Sequence, residues 1–273
     1  HFVRPGETIP SHAYRRGAGG KGFNQSIALA RAGQAVTHVG AIGSDAEWLR
    51  ALLHAEKIDT RHLRSEALPT GHAIIQVVPS GENSIVLHAG ANHAIAAESV
   101  RAALAEASAH DWFLTQNETN HVAEALAAAR AAGLRVCFNP APFTPAVREY
   151  PLDCVDLLVI NETEGQALAG EAEASAILDR LLTRWPHLEV VLTLGSDGAI
   201  FAHGNTRLRQ PALPVHVVDT TAAGDTFLGY LLASLIAGLP MSDALARATR
   251  AAALAIARPG AADSIPRATE ITD

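Results

Sequence analysis

Val215-His216-Val217-Val218-Asp219-Thr220-Thr221-Ala222-Ala223-Gly224-Asp225-Thr226-Phe227 is the stretch that decides the reading of this chain. Residues 215–218 predict a strand, the small residues after them predict a tight turn, and the apolar run 227–236 predicts a helix. The turn and the first helical residues leave backbone N–H groups without intrahelical partners, and the helix dipole adds partial positive charge there. Such a place binds phosphate. Ala222, Ala223 and Gly224 let a phosphoryl group approach the backbone closely, and Asp225 in the first turn is placed to accept a proton from an attacking hydroxyl. Without its neighbours, Asp225 reads equally well as an ordinary first-turn acid that complements the dipole.

Outward from that stretch, Ala- and Leu-rich helical segments alternate with short apolar runs at 36–42, 112–115, 134–138, 155–160 and 190–194. Runs that are apolar throughout suit parallel strands covered on both faces, so the fold class is α/β with a mostly parallel central sheet sandwiched by helices. Residues 8–16, and the pair 73–78 and 84–88 around the turn 79–83, predict antiparallel strands with partly polar faces. They divide the chain into a small β-sheet lid (1–16 and 71–88) and an α/β domain (17–70 and 89–273).

The chain has 273 residues, 48% of them hydrophobic, enough for one sizeable core. A net charge of −7 without a basic block argues against a nucleic-acid groove or an anionic membrane surface, leaving a small molecule as the partner. Cys137 and Cys154 lack the spacing of a metal clip or redox pair and read as reduced structural thiols. With neither a membrane-length apolar run nor a secretory signal, the expected location is the cytoplasm.

The segment 219–227 resembles the second signature of ribokinase-like (PfkB-type) carbohydrate kinases, and Gly19-Gly20-Lys21-Gly22-Phe23-Asn24-Gln25 resembles the first. The similarity runs nearly end to end, through Pro5-Gly6-Glu7-Thr8, His88-Ala89-Gly90-Ala91-Asn92, Asn139-Pro140-Ala141-Pro142, Asn161-Glu162-Thr163-Glu164 and Thr193-Leu194-Gly195-Ser196-Asp197-Gly198. The resemblance implies an ATP-dependent kinase for the primary hydroxyl of a sugar, D-ribose first among the family's substrates. It implies Asp225 as base, with the amides of Ala222, Ala223 and Gly224 as anion hole. Gly20, Lys21, Asn24 and Glu118 then bind the sugar; Asn161 and Glu164 serve the phosphates and the magnesium shell. Thr193, Gly195, Ser196 and Gly198, with Gly224, resemble the nucleotide-binding loop. Asp219, Thr221, Ala255, Arg258, Gly260 and Ser264 match positions that hold potassium in cation-activated members. Lids often pair between subunits in the family, which implies a homodimer.

Each of these positions also has a plainer reading. Lys21 alone is a solvated loop charge, Glu118 a surface acid, and Asn161 with Glu164 a helix N-cap and capping-box acid. Residues 17–22 fit the Gly-x-Gly-x-x-Gly dinucleotide fingerprint literally, but the polar residues 11–16 before them are no apolar strand. The same stretch fails as a Walker A loop, lacking Ser or Thr after the Lys. The 13 histidines are scattered without a helical pair or clip. Two other readings stay open: a kinase for another sugar or nucleoside, and a degenerate member that binds sugar or nucleotide without turnover. The family's opening strand with its Asn-x-Asp element is absent and the loop 43–47 is short, so the expectation is that segments of a longer chain are omitted.

Overall fold

A computed structural model of the chain describes residues 1–78 and 83–271. Chain order begins with α1 (Lys21–Arg31), β1 (Gly40–Gly43), α2 (Glu47–Ala55) and β2 (Leu63–Glu66). A hairpin follows, β3 (His72–Val77) and β4 (Asn83–His88), and then α3 (Ala97–Glu106). Next come β5 (Trp112–Gln116), α4 (Val122–Ala131), β6 (Arg135–Asn139), β7 (Leu157–Asn161), α5 (Glu162–Ala169), α6 (Ala174–Arg184) and β8 (Glu189–Thr193). The chain closes with β9 (Ala199–His203), β10 (Thr206–Gln210), α7 (Ala223–Ile236) and α8 (Met241–Ile256).

The central sheet has six strands in the order β10-β9-β8-β7-β6-β5. The ladders from β5 to β8 are parallel, and β9 and β10 add antiparallel strands at one edge. Side chains alternate across a strand, so the continuous apolar runs supply two cores at once. Cys137, Leu157, Val159 and Val191 pack with Ile27 and Ala28 of α1, Leu228 and Leu231 of α7, and Ala248 of α8. Their neighbours Val136, Phe138, Leu158, Ile160, Val190 and Leu192 pack with Leu126 of α4, Leu168 of α5, and Ile177 and Leu181 of α6. The expected α/β sandwich is therefore present. β1 and β2 pair in parallel as a separate sheet, and β3 and β4 form a small antiparallel sheet.

Two expected strands are absent among the described residues. Residues 8–16 enter no ladder; Pro10 removes a backbone donor there, and the mostly exposed segment has no partner strand. Residues 215–218 also stay unpaired, because the amides of Val218 and Asp219 both donate to the Ile256 carbonyl at the end of α8 (2.8 and 3.2 Å). Helix α8 thus takes the place a neighbouring strand would have had and sets the approach into α7. The run expected at 36–42 is a strand only from Gly40, preceded by an isolated bridge from Thr37 to Asp59. Most of the turn expected at 79–83 lies outside the described residues. No helix among them is long and apolar enough to cross a membrane.

Candidate active site

The parallel strands end in polar residues: Gln116, Asn139, Asn161 and Thr193 are the last residues of β5, β6, β7 and β8. Gln116 is paired in register with Asn139, and Asn161 with Thr193, so the four line one carboxyl edge of the sheet. Open α/β sheets bind ligands at this edge. Helices α1 and α7 lie over it, and their approach depends on Gly229, where a Cβ would stand 2.3 Å from Ala28 Cβ. Gly229 is one turn from Asp225 on α7, and Ala28 one turn from Asn24 on α1. The glycine contact therefore brings the two polar ends together.

Asp225 is buried (7% exposed) and accepts two hydrogen bonds from α1: Asn24 Nδ2 to Oδ2 and Gln25 Nε2 to Oδ1, each 2.9 Å. Asn24 Oδ1, also buried, has no hydrogen-bond partner in the protein. Glu118 Oε2 accepts the Lys21 backbone N–H at 2.8 Å. Gly20 caps α1 at φ 94°, ψ 139°, a conformation that side-chain-bearing residues avoid, and it turns the chain so that this N–H meets the carboxylate.

Burial pushes Glu118 above the usual carboxylate range, opposed by the Lys21 N–H and ammonium and assisted by the negative charge of Asp225. Glu164 is raised in the same way, with Lys21 and Asp225 again among the charges that act on it. The charges of Lys21 and Asp225 thus act on both Glu118 and Glu164, which come from distant parts of the chain.

Ala222, the N-cap of α7, has a left-handed backbone (φ 61°). Among the described residues the amides of Ala222, Gly224 and Asp225 form no hydrogen bond, whereas the Ala223 N–H donates to the Thr220 carbonyl at 3.2 Å. A Cβ on Gly224 would meet nothing within 4 Å, and its φ is not positive, so the fold itself does not require glycine there. Open space lies beside those amides.

Gly20, Lys21, Asn24, Glu118, Ala222 and Asp225 line one cleft, which Ile75 and Leu87 from one face of the small sheet also border. Asn161, Glu164, Thr193, Gly195, Ser196 and Gly198 do not line it. Asn161 and Glu164 form a reciprocal capping box on α5 (2.8 and 3.0 Å), so the plain helix-cap reading holds whatever else they do. Gly195 and Gly198 flank the turn from β8 to β9; a Cβ at Gly198 would stand 2.0 Å from the Gln210 carbonyl oxygen, which accounts for that glycine by packing alone.

Asp219 gathers part of the third group: Oδ1 accepts from the Thr221 N–H at 2.9 Å and Oδ2 from the Gly260 N–H at 3.0 Å. Burial raises its carboxyl, but these donors outweigh that and hold it below the usual range. The Arg258 N–H donates to the Ala255 carbonyl, while its guanidinium pairs with Glu270 and points away. Ser264 is buried and donates to the Ala261 carbonyl.

The pfkB family carbohydrate kinase model matches residues 1–268. The chain belongs to the pfkB family of carbohydrate kinases. This kinase is 36% identical over 280 residues to a protein named ribokinase from Haemophilus influenzae, covering 99% of this chain and 91% of the relative. Its fold superposes on a ribokinase from Cryptococcus neoformans in complex with ADP, with TM-score 0.86, 34% identity and 99% and 93% of the two chains covered. An Arabidopsis thaliana ribokinase complexed with ribose and ATP gives TM-score 0.85 at 29% identity, with 99% and 91% covered.

Three residues of the kinase's site escaped the sequence reading: Gln25, Gln116 and Asn139 all belong to the hydrogen-bonded surroundings of Asp225. A signal was available, since Gln116 and Asn139 are polar residues that end apolar strands.

Proposed function

We propose that this kinase transfers the γ-phosphoryl group of ATP to the primary hydroxyl of D-ribose, giving ribose 5-phosphate, with Asp225 as the base. The observation that carries the reading is the meeting of Asn24, Lys21, Glu118 and Asp225 beside the unpaired amides that begin α7. The buried, unpartnered Asn24 Oδ1 suits a donating sugar hydroxyl, as does the Glu118 carboxylate. Asp225 takes the hydroxyl proton, the oxygen attacks the γ-phosphorus in line, and the amides of Ala222, Ala223 and Gly224 stabilise the charge on the transferring group. Ala223 serves once its long bond to Thr220 is released. The relatives named ribokinase, one of them solved with ribose and ATP, support ribose before other sugars.

Glu118 and Glu164 are each raised by burial and further by the negative charge of Asp225, an excess that fits a divalent cation accompanying the nucleotide. Asn161 and Glu164 would hold magnesium with its water shell, and the ion would neutralise charge on the phosphates. Thr193, Gly195 and Ser196 would face the nucleotide; Gly198 serves the turn that carries them. The oxygen-rich setting of Asp219, Thr221 and Gly260, with the carbonyls of Ala255 and Arg258 and the Ser264 hydroxyl, suits potassium, which would add positive charge beside the anion hole. The small sheet of β3 and β4 acts as the lid over the sugar. Its exposed Ile74, Val77, Ile85 and Val86 support a homodimer in which two lids cover each other.

ADP release from MgATP, measured with D-ribose and a panel of other sugars and nucleosides in potassium and in sodium buffers, tests the proposal. Ribose-dependent, potassium-stimulated turnover is expected. Turnover with another acceptor replaces the substrate, and binding without any turnover replaces the kinase by a degenerate binder.

A further inference from the structure

Both hydrogen-bond donors to the Asp225 carboxylate are side-chain amides, and an amide has one end that donates and one that accepts. Which end of Gln25 faces the carboxylate is decided elsewhere in the molecule. Asn139 Nδ2 donates to the Val159 backbone carbonyl at 2.9 Å. That carbonyl can only accept, so it turns the Nδ2 end of Asn139 toward β7 and leaves Asn139 Oδ1 facing Gln25. Oδ1 in turn can only accept, and it takes one hydrogen of Gln25 Nε2 at 3.3 Å while the other goes to Asp225 Oδ1 at 2.9 Å. From the opposite side Gln116 Nε2 donates to Gln25 Oε1 at 2.6 Å. A reversed Gln25 amide would set its oxygen against two acceptors and its nitrogen against a donor. Gln25 is 1% exposed and Gln116 8%, so solvent cannot replace a lost contact.

We propose that Asn139, Gln25 and Gln116 are positioning residues that fix the rotation of the Asp225 carboxylate, through a chain of amides that starts at the Val159 carbonyl. The proposal rests on Asp225 acting as the base. A carboxylate has about four acceptor directions. Gln25 occupies one on Oδ1 and Asn24 one on Oδ2, and with the rotation fixed the remaining directions stay aimed where the sugar hydroxyl arrives. The chain also explains Gly22: a Cβ there would stand 3.0 Å from Gln116 Oε1, so a glycine keeps Gln116 in place.

The test is the single-turnover rate of phosphoryl transfer from MgATP to D-ribose, with the half-saturating ribose concentration and Tm measured on the same variants. Gln25→Met keeps the volume and loses the donor. Its transfer rate should fall about 10- to 100-fold while half-saturation stays within about threefold, because geometry at the reacting proton is lost and sugar contacts are kept. Gly22→Ala supplies the second variant. Alanine is the better helix former, so Tm should hold or rise, while the displaced Gln116 lowers the transfer rate about fivefold or more.

Gln25→Met decides if it folds, and Gly22→Ala decides if it does not. A deciding variant that transfers at the native rate, or whose loss lies only in ribose half-saturation, overturns the proposal provided Asp225→Asn is inactive. Asp225→Asn at the native rate overturns the base reading instead.

Discussion

Asp225 works in surroundings that carry more negative than positive charge. Glu118 and Glu164 are both raised by burial and further by the negative charge of Asp225, with Lys21 opposing. His38 shows the same physics with the opposite sign. His38 is half-buried and its Nδ1 lies 2.8 Å from Ser26 Oγ, and desolvation pushes the imidazole down from 6.5 to about 4. The folded protein therefore holds His38 neutral over a range where the unfolded chain protonates it. Stability on this account is present above about pH 6.5 and is lost as pH falls toward about 4. Urea midpoints measured across that range should drop more steeply for the native protein than for His38→Gln; equal slopes would remove His38 from the account. At this scale the sequence showed Asp225, Asn24 and Glu118 through their motifs. It did not show that Gln25, three residues past Gly-Lys-Gly, reaches the same carboxylate as Asn24, because a side chain's partner 200 positions away is set by helix packing and leaves no local pattern.

Among the elements, α1 and α7 form the pair on which the site depends. Gly229 permits their contact, and Ala28 Cβ and the Leu29 backbone nitrogen fill the space a larger residue would need. Gly229→Ala should force the helices apart and cost about 1–3 kcal/mol. That corresponds to a fall in Tm of roughly 2–10 °C, with the separation of Asn24 and Gln25 from Asp225 lowering turnover as well. Calorimetry and a rate assay on one preparation check both; a variant matching the native protein in each would show that the contact is slack. The parallel strands were legible because buried strands are apolar along their whole length. The strand expected at 215–218 was not realised, since three valines specify burial and extension but not the partner, and the end of α8 supplied one. Pro10 similarly outweighed the alternation around it.

For the molecule as a whole, the small antiparallel sheet carries more exposed apolar surface than a free surface sheet requires. Ile74, Val77 and Val86 are each more than 60% exposed, which favours self-association through the lid. Sedimentation velocity should find a dimer that Ile74→Lys with Val86→Glu converts to monomers without loss of Tm; an unchanged sedimentation coefficient in the double variant would move the interface elsewhere. The end-to-end α/β order was readable from alternating segments. The convergence of Gly20, Lys21, Glu118 and Asp225 was readable only through the family resemblance, since no spacing in the chain encodes which strand ends meet. The central claim is that Asp225 is the base at a sugar phosphorylation site, and the direct measurement is ribose-dependent ADP release by the native kinase and by Asp225→Asn, with ribose and ATP binding followed by calorimetry. Turnover is expected in the native protein and a loss of about 100-fold or more in the variant with both ligands still bound; a variant as fast as the native protein would rule Asp225 out as the base.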